Sequence, residues 1–294
     1  SQQFEPAVGP LADGGFVAVW RSRTDSTAPD LFQNSDILAQ RFGPDGAPRG
    51  PEVLIDGEDA RWDMLPVIAG LTGGGFVTAW IDGGPGGSAG IRVYATFHDS
   101  SGARIGDRVE LGAGTFRPAI AELADGRVAL AWTGFDGLAM TGIYVAIRSP
   151  DGTPIAAPVK VSQWQDPDTG RDETERPSVA ALSDGRFVVV WNYTAEREAD
   201  PRPFTVWARI LGADGTPEGA EFLVNAPAGG AGFDADVAAL AGGGFAVVWT
   251  GYGDGSGTAI RGRAYDSSGA AIGSELIVNT TAVSDQRDVT VAAT

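Results

Sequence analysis

The sequence of 294 residues contains no cysteine and only one histidine, His98. Without cysteine the chain has no disulfide bond, no thiol nucleophile and no zinc–thiolate site. Most transition-metal sites use histidine or cysteine ligands, so the composition excludes most enzymes of that class together with the cysteine–histidine proteases. His98 stands beside the turn sequence Asp99-Ser-Ser-Gly102, and we predict that it is exposed and not catalytic.

Positive charge is also scarce. The chain has 21 lysine and arginine residues against 38 aspartate and glutamate residues, a formal net charge of −17. Nucleic-acid binding requires clustered positive charge, so no nucleic-acid partner is expected. No segment approaches the roughly 18 consecutive apolar residues of a membrane-spanning helix, and an acidic surface repels anionic lipid headgroups. Membrane insertion is therefore not expected either.

The sequence begins at Ser1, without methionine and without a positively charged, apolar signal region. We expect it to be a segment of a larger polypeptide. An acidic chain that is rich in glycine and free of cysteine suits an extracellular or cell-surface location, where calcium can replace disulfide bonds as a cross-link.

A segment of the form Phe-Val-Val-Val-Trp recurs five times, with its tryptophans 52 to 60 residues apart. A glycine-containing turn precedes each copy, and a second such turn follows a third apolar segment further along. This spacing predicts five four-stranded meanders in one domain over residues 1–294. The repeats lie at approximately 5–56, 64–111, 117–161, 176–224 and 234–279, and their tryptophans are Trp20, Trp80, Trp132, Trp191 and Trp249.

The second strand of each repeat indicates how the meanders assemble. In Phe187-Val-Val-Val-Trp191 the odd and the even positions are all apolar, so both faces of the strand must be covered. Four-stranded sheets covered on both faces are typical of the blades of a β-propeller. We predict an all-β fold, a five-bladed β-propeller of four-stranded antiparallel blades. A linear array of sheets is the alternative.

The chain ends on a sixth copy of the first strand, since residues 285–293 align with residues 2–10. In a ring, one terminus can complete a blade that the other terminus begins, which removes an exposed sheet edge. We therefore predict that residues 285–293 close the ring. The alternative is that this copy begins another repeat.

The repeat resembles those of large secreted bacterial proteins of the RTX, haemolysin-type calcium-binding kind, which follow the pattern D-G-G-F-V-V-V-W, D-G-S-G and I-Y-A-Q-R-F-D-x-D-G. The best matches are Arg176-Pro-Ser-Val-Ala-Ala-Leu-Ser-Asp-Gly-Arg-Phe-Val-Val-Val-Trp191, Asp36-Ile-Leu-Ala-Gln-Arg-Phe-Gly-Pro-Asp-Gly46 and Gly253-Asp-Gly-Ser-Gly257. The resemblance covers essentially the whole chain. It implies an extracellular adhesin-like or scaffold segment that binds calcium and has no catalytic residues.

The loop after each repeated tryptophan carries the candidate calcium ligands. Calcium takes six to eight oxygen ligands from carboxylates, carbonyls and water, and Asp-Gly-Ser-Gly turns can supply several of them. Aspartate and glycine are equally the ordinary residues of tight turns, which is the alternative interpretation. The candidate residues are Asp25, Asp82, Asp136 and Asp254.

Aromatic residues before the first strands suggest a ligand-binding rim. Rings beside acidic and amide groups suit stacking on sugar faces, and Trp62 and Trp164 break the repeat pattern, with Asp63 and Gln165 next to them. These four residues are the candidate ligand-binding set. The repeat-equivalent Phe4, Phe116 and Phe233 more simply fill the gaps between blades.

Two functions follow from these patterns. The main hypothesis is a non-enzymatic binding, adhesin or scaffold module that presents its loops to a glycan or a cell-surface protein. The alternative is a glycosidase-like propeller enzyme that uses Glu122 and Asp236, because these acids stand in first strands where the other repeats carry small, apolar or hydroxyl residues. Glycoside hydrolysis requires two such carboxyl groups.

Overall fold

The described residues of the computed structural model form nineteen β-strands, which confirms the all-β part of the predicted fold. The structure describes residues 2–23, 35–56, 62–83, 90–135, 140–163, 174–193, 204–225, 232–252, 255, 257–281 and 283–292. The strands are β1 (Gln2–Pro10), β2 (Phe16–Arg23), β3 (Ser35–Phe42), β4 (Val53–Leu54), β5 (Asp63–Gly70), β6 (Phe76–Asp82), β7 (Arg92–His98), β8 (Arg104–Glu122), β9 (Val128–Phe135), β10 (Met140–Arg148), β11 (Val159–Lys160), β12 (Thr174–Ala181), β13 (Phe187–Tyr193), β14 (Thr205–Leu211), β15 (Pro217–Leu223), β16 (Gly232–Ala239), β17 (Phe245–Tyr252), β18 (Thr258–Tyr265) and β19 (Ala271–Ile277).

All strand pairs are antiparallel, and neighbours in the sheets are neighbours in the chain. Three sheets are single meanders, β1-β2-β3-β4, β12-β13-β14-β15 and β16-β17-β18-β19. The fourth sheet has seven strands, because the 19-residue strand β8 pairs with β7 through its first part and with β9 through its second part. The chain thus forms five four-stranded meanders in four sheets, and β8 serves two of them.

The hairpin between the first two strands of a meander is set by its glycine. In the first meander, Gly14 has a φ of +81° and donates its N–H to the carbonyl of Leu11 at 3.0 Å. The Asp13 carboxylate accepts the N–H of Gly15 at 2.9 Å. An L-residue would be strained at this φ, so the Asp-Gly sequence determines where the chain reverses.

Successive meanders pack face to face. Each meander has a front face and a rear face. In the fifth meander the front face carries the alternate residues Phe245, Val247 and Trp249 of β17, and the equivalent face of every other meander has the same name. The front face of the fifth meander packs on the rear face of the fourth, which includes Val188 and Val190. The same arrangement joins the first to the second, the second to the third and the third to the fourth meander. Burial on both faces explains why both positions of the second strand are apolar.

We call the first strand of each meander its innermost strand. Each innermost strand carries a bulge at an equivalent position, where a non-glycine residue adopts a positive φ and the ladder register shifts. Such backbone costs of order 1 kcal/mol or more and persists where the surrounding structure supports it. The residues concerned are Glu5, Leu65, Phe116, Arg176, Asp234 and, in the terminal segment, Asp288.

The predicted closure by the terminal segment is not seen. The first meander already has four strands of its own, with β1 as the innermost, so it offers no vacant place for residues 285–292. Those residues form no strand ladder within the described structure. None of the described residues forms a helix long and apolar enough to cross a membrane.

Candidate active site

The innermost strands surround a pocket of about 740 Å³. Strands β5, β8, β12 and β16 and residues 288–291 form its wall, which combines apolar side chains with five charged ones. The charged residues are Arg117, Arg176, Asp234, Asp236 and Asp288, and the apolar ones include Leu65, Val67, Phe116, Ala119 and Ile120. Concave sites with an apolar lining and a few convergent polar groups are typical of ligand-binding pockets.

Asp236 is the best anchored of the carboxylates. Its Oδ1 accepts the hydroxyl of Ser178 at 2.6 Å and the N–H of Val237 at 3.0 Å. Its Oδ2 accepts the N–H of Val291 at 2.9 Å. Hydrogen bonds from three donors hold the carboxylate in one orientation.

Asp234 and Arg176 form an ion pair across the wall, between Oδ1 and Nη1. Both residues are at bulge positions, with φ of +51° and +53°. The Arg176 guanidinium also lies 5.9 Å from the centroid of the Phe116 ring, within the range of a cation–π contact. Residues from three successive innermost strands are thereby connected.

The structure places the two acids predicted from the sequence, Glu122 and Asp236, in different surroundings. Asp236 lines the pocket, whereas Glu122 is not among the lining residues. The Glu122 carboxylate instead accepts the N–H of Thr72 at 2.8 Å and the Thr72 hydroxyl at 2.9 Å. Thr72 belongs to the hairpin turn between β5 and β6, so Glu122 ties two neighbouring meanders together.

Trp62 packs against backbone rather than lining the pocket. Its ring covers Gly83, where an added Cβ would lie 1.8 Å from Trp62 Cε2, and its carbonyl accepts the Gly83 N–H at 3.0 Å. The ring is half-buried. Only a residue without a side chain fits under this ring, which gives Trp62 a structural role.

Asp63 is fully buried, so it does not lie on an exposed rim. Its Oδ1 accepts the indole N–H of Trp80 at 2.7 Å. Burial, reinforced by the neighbouring Asp56 and Asp82 carboxylates, raises the pKa of Asp63 to about 9. At neutral pH Asp63 is therefore protonated, and the adjacent Asp56, whose pKa burial raises to about 6, is its hydrogen-bonding neighbour.

Asp82 is also fully buried, with its Oδ2 3.6 Å from Nη1 of Arg108. The described parts of the chain contain no group of three or more histidine, cysteine or acidic residues arranged to hold a metal ion. The other predicted calcium ligands, Asp25, Asp136 and Asp254, lie outside the described residues, as do Trp164 and Gln165. Calcium binding therefore stays a prediction.

His98 was predicted to be exposed, and this is wrong. Its ring is buried and stacks on Phe76 at a centroid distance of 4.5 Å. Its Nε2 lies 3.1 Å from the hydroxyl oxygen of Thr96. Burial lowers the pKa of His98 to about 4, so the ring is neutral at physiological pH and belongs to the core.

Ser178, Arg176, Asp234 and Asp288 were missed by the sequence analysis. A signal for them exists in the alignment of the repeats. Ser178 holds the position equivalent to Asp236, and Asp234 and Asp288 hold the bulge position. Comparing the bulge position across all copies would have placed these polar residues around one axis.

No protein-family model and no curated protein sequence matches the chain. Solved structures do match it. An α-L-arabinanase of Penicillium chrysogenum complexed with arabinobiose has a TM-score of 0.59 at 13% identity, over 92% of this chain and 80% of its own. The GH93 α-L-arabinofuranosidase of Fusarium graminearum with arabinobiose has a TM-score of 0.58 at 14% identity, over 96% and 83%. The GH43_1 enzyme of Xanthomonas citri complexed with xylose has a TM-score of 0.50 at 15% identity, over 96% and 93%.

The fold is a β-propeller. At these identities the likeness extends to the fold alone. The main functional hypothesis was a non-enzymatic adhesin or scaffold module. The similar structures described above contradict it, because they are enzymes. They are glycoside hydrolases, and they agree better with the enzyme alternative.

Proposed function

We propose that this protein is a glycoside hydrolase of the propeller type that acts on a glycan containing arabinose or xylose. The observation that supports this proposal most directly is the pocket between the innermost strands. Its wall brings Asp234, Asp236 and Asp288 together with Arg117 and Arg176. The similar structures are complexes with arabinobiose or xylose, which supports the choice of a pentose glycan.

Glycoside hydrolysis needs one carboxyl group that protonates the leaving oxygen and a second, ionised one that acts as base or nucleophile. Asp236 suits the second role, because three hydrogen-bond donors hold its carboxylate in one orientation in the pocket wall. Asp288 suits the first role, since within the described structure it lines the pocket without a cationic partner. Asp234 is paired with Arg176 and is assigned to positioning.

The apolar part of the wall supplies a surface for the sugar ring. Phe116 lies in the pocket wall beside the Arg176 guanidinium, so an aromatic face and a set of hydrogen-bonding groups are adjacent. Sugars present an apolar face of C–H groups, which can stack on the aromatic ring, and an edge of hydroxyls, which can bond to the polar groups of the wall. Ser178 holds Asp236 and is a positioning residue.

The proposal depends on the propeller arrangement, because the pocket needs innermost strands gathered around one axis. Neighbouring innermost strands lie side by side in chain order, β1 with β5, β5 with β8, β8 with β12 and β12 with β16. The five described meanders are blades of this propeller. We also propose, from the RTX-type resemblance, that the protein acts outside the cell and that calcium stabilises its loops.

The proposal is tested with the purified chain on 4-nitrophenyl α-L-arabinofuranoside, 4-nitrophenyl β-xyloside and arabinobiose. We expect turnover of at least one of them and a loss of about 100-fold or more in kcat for Asp236→Asn, the usual cost of removing an acid–base group. Asp107→Asn, an exposed aspartate of β8, is the matched control and should keep full activity. A folded wild-type chain that hydrolyses none of the three, or an Asp236→Asn variant as active as Asp107→Asn, would refute the proposal.

A further inference from the structure

The rear face of the fifth meander is uncovered, unlike its equivalents. In the fourth meander the rear-face residue Val224 is 0% exposed, because the front face of the fifth meander lies on it. The equivalent residue of the fifth meander, Val278, is 53% exposed, and its neighbour Leu276 is 63% exposed. Within the described residues this apolar face has no sheet packed against it.

The front face of the first meander is uncovered in the same way. Val8 is 63% exposed, whereas the equivalent Val237 of the fifth meander is 5% exposed. Trp20 is half-buried, although its equivalent Trp249 is fully buried. The four core clusters of the described chain join consecutive meanders, and none of them joins the fifth to the first.

Residues 285–292 occupy the place of the next innermost strand. The N–H of Gln286 donates to the carbonyl of Thr258 at 3.0 Å, as the N–H of Gly232 donates to Phe204 at 2.6 Å one meander earlier. Two residues further on, Asp288 has a φ of +56°, which matches the +51° of Asp234 at the bulge of β16. The segment therefore repeats both the anchor and the bulge of an innermost strand.

This placement prevents the first meander from packing directly on the fifth. In every described interface the innermost strand of the following meander lies where residues 285–292 lie here. β1 would have to take that same place for the ring to close with five blades. β1 is already the innermost strand of the first meander, so that meander does not need the segment as an innermost strand.

We propose that residues 285–292 are the innermost strand of a sixth blade, and that the rear face of the fifth meander is the docking surface for the other three strands of that blade, carried by the same polypeptide. Those strands have the repeat's own pattern, with a Phe-x-Val-x-Trp front face that matches the exposed Leu276 and Val278 and the half-buried Val248. The sixth blade then covers the front face of the first meander with its own rear face. This inference does not depend on the glycosidase proposal.

The first test measures the width of the gap in the chain as it stands. The protein contains no cysteine, so Val8→Cys and Val278→Cys carry spin labels at these two exposed positions only. Packed sheets lie about 10 Å apart, so a place for one intervening blade puts the labels about 20 Å apart or more. A distance of about 10 Å would show that the first and fifth meanders pack directly, and would overturn the proposal.

The second test supplies the missing strands. A copy of residues 241–279, which contain the last three strands of the fifth meander, is appended after Thr294. We expect the melting temperature to rise by about 5 °C or more and a label on Val278→Cys to become immobile. The matched control is the same extension with its copies of Phe245, Val247 and Trp249 changed to serine, which should leave both properties as in the original chain. Identical behaviour of the two extensions overturns the proposal. If neither extension folds, the label distance decides.

Discussion

Trp249 and Trp20 hold the same position in their repeats but have different surroundings. Trp249 is fully buried between the fourth and fifth meanders, whereas Trp20 is half-buried on the uncovered front face of the first. The repeat pattern therefore determines which side chains are apolar and which way they face. How much surface each of them buries depends on the neighbouring sheet, so the four interfaces between consecutive meanders contribute more to stability than the two uncovered faces.

The largest expected difference comes from two tryptophan substitutions. Trp191→Ala should lower the free energy of unfolding by about 3 to 5 kcal/mol, because Trp191 is 1% exposed in the interface between the third and fourth meanders. Trp20→Ala should cost less than half as much. Denaturant unfolding of the two variants measures both values, and equal losses would mean that Trp20 is covered in solution.

A smaller effect is expected from the close approach of the first two innermost strands. A Cβ at Gly70 would lie 1.6 Å from the carbonyl oxygen of Pro10, so Gly70→Ala must shift backbone, at a cost of about 1 to 3 kcal/mol. Gly73→Ala, three residues later in the hairpin turn, is the matched control because nothing lies within 4 Å of its added Cβ. Thermal unfolding compares them. A Gly70→Ala protein as stable as Gly73→Ala would contradict the described packing.

The buried Asp63 makes the interface between the first and second meanders sensitive to pH. Its pKa is raised to about 9, while an unfolded aspartate has a pKa of about 3.9, so between these values the folded state retains a proton that the unfolded state releases. The free energy of unfolding should therefore fall by at least about 1 kcal/mol as the pH rises from 5 to 8. Asp63→Asn should remove most of this slope, because an amide can accept the Trp80 hydrogen bond without ionising; the buried Asp56, whose pKa is raised to about 6, accounts for the rest. Urea unfolding at several pH values tests it, with Asp107→Asn as a control that should keep the slope. The same slope in Asp63→Asn would assign it to another group.

The smallest effect concerns calcium. An ion that binds only the folded state stabilises it by about 0.4 kcal/mol when its concentration equals Kd. We expect calcium to raise the melting temperature more than sodium at equal ionic strength, and Asp254→Ala to reduce that rise. Thermal scans with both salts decide this. Equal curves in calcium and sodium would leave Asp254 as a turn residue.

The meanders could be predicted from the sequence because the pattern that specifies them is local. Apolar residues at both positions of Phe187-Val-Val-Val-Trp191 required sheets on both sides, and Asp236 stood out at a position that is otherwise small, apolar or hydroxyl-bearing. Local patterns also explain the errors. An alignment of residues 285–293 with residues 2–10 identifies an innermost strand, but it does not say which sheet that strand joins.

The candidate site was harder to predict because its contacts join residues far apart in the chain. The Arg176–Asp234 ion pair spans 58 residues and the hydrogen bond from Val291 to Asp236 spans 55. Glu122 stood out in the sequence as an acid in a first strand, yet its carboxylate binds Thr72 in a hairpin turn. Trp62 broke the repeat pattern for a structural reason, because its ring covers Gly83, and the neighbouring Asp63 is buried where it accepts the indole N–H of Trp80.

The central claim is that the pocket between the innermost strands holds a glycan. A crystal structure of Asp236→Asn soaked with arabinobiose tests it most directly, since the variant should bind the sugar without cleaving it. The account predicts electron density for the disaccharide in the pocket, with one ring against Phe116 and hydroxyls within hydrogen-bonding distance of Asp234 and Asp288. Density on the rim beside Trp62 with an empty pocket would contradict it.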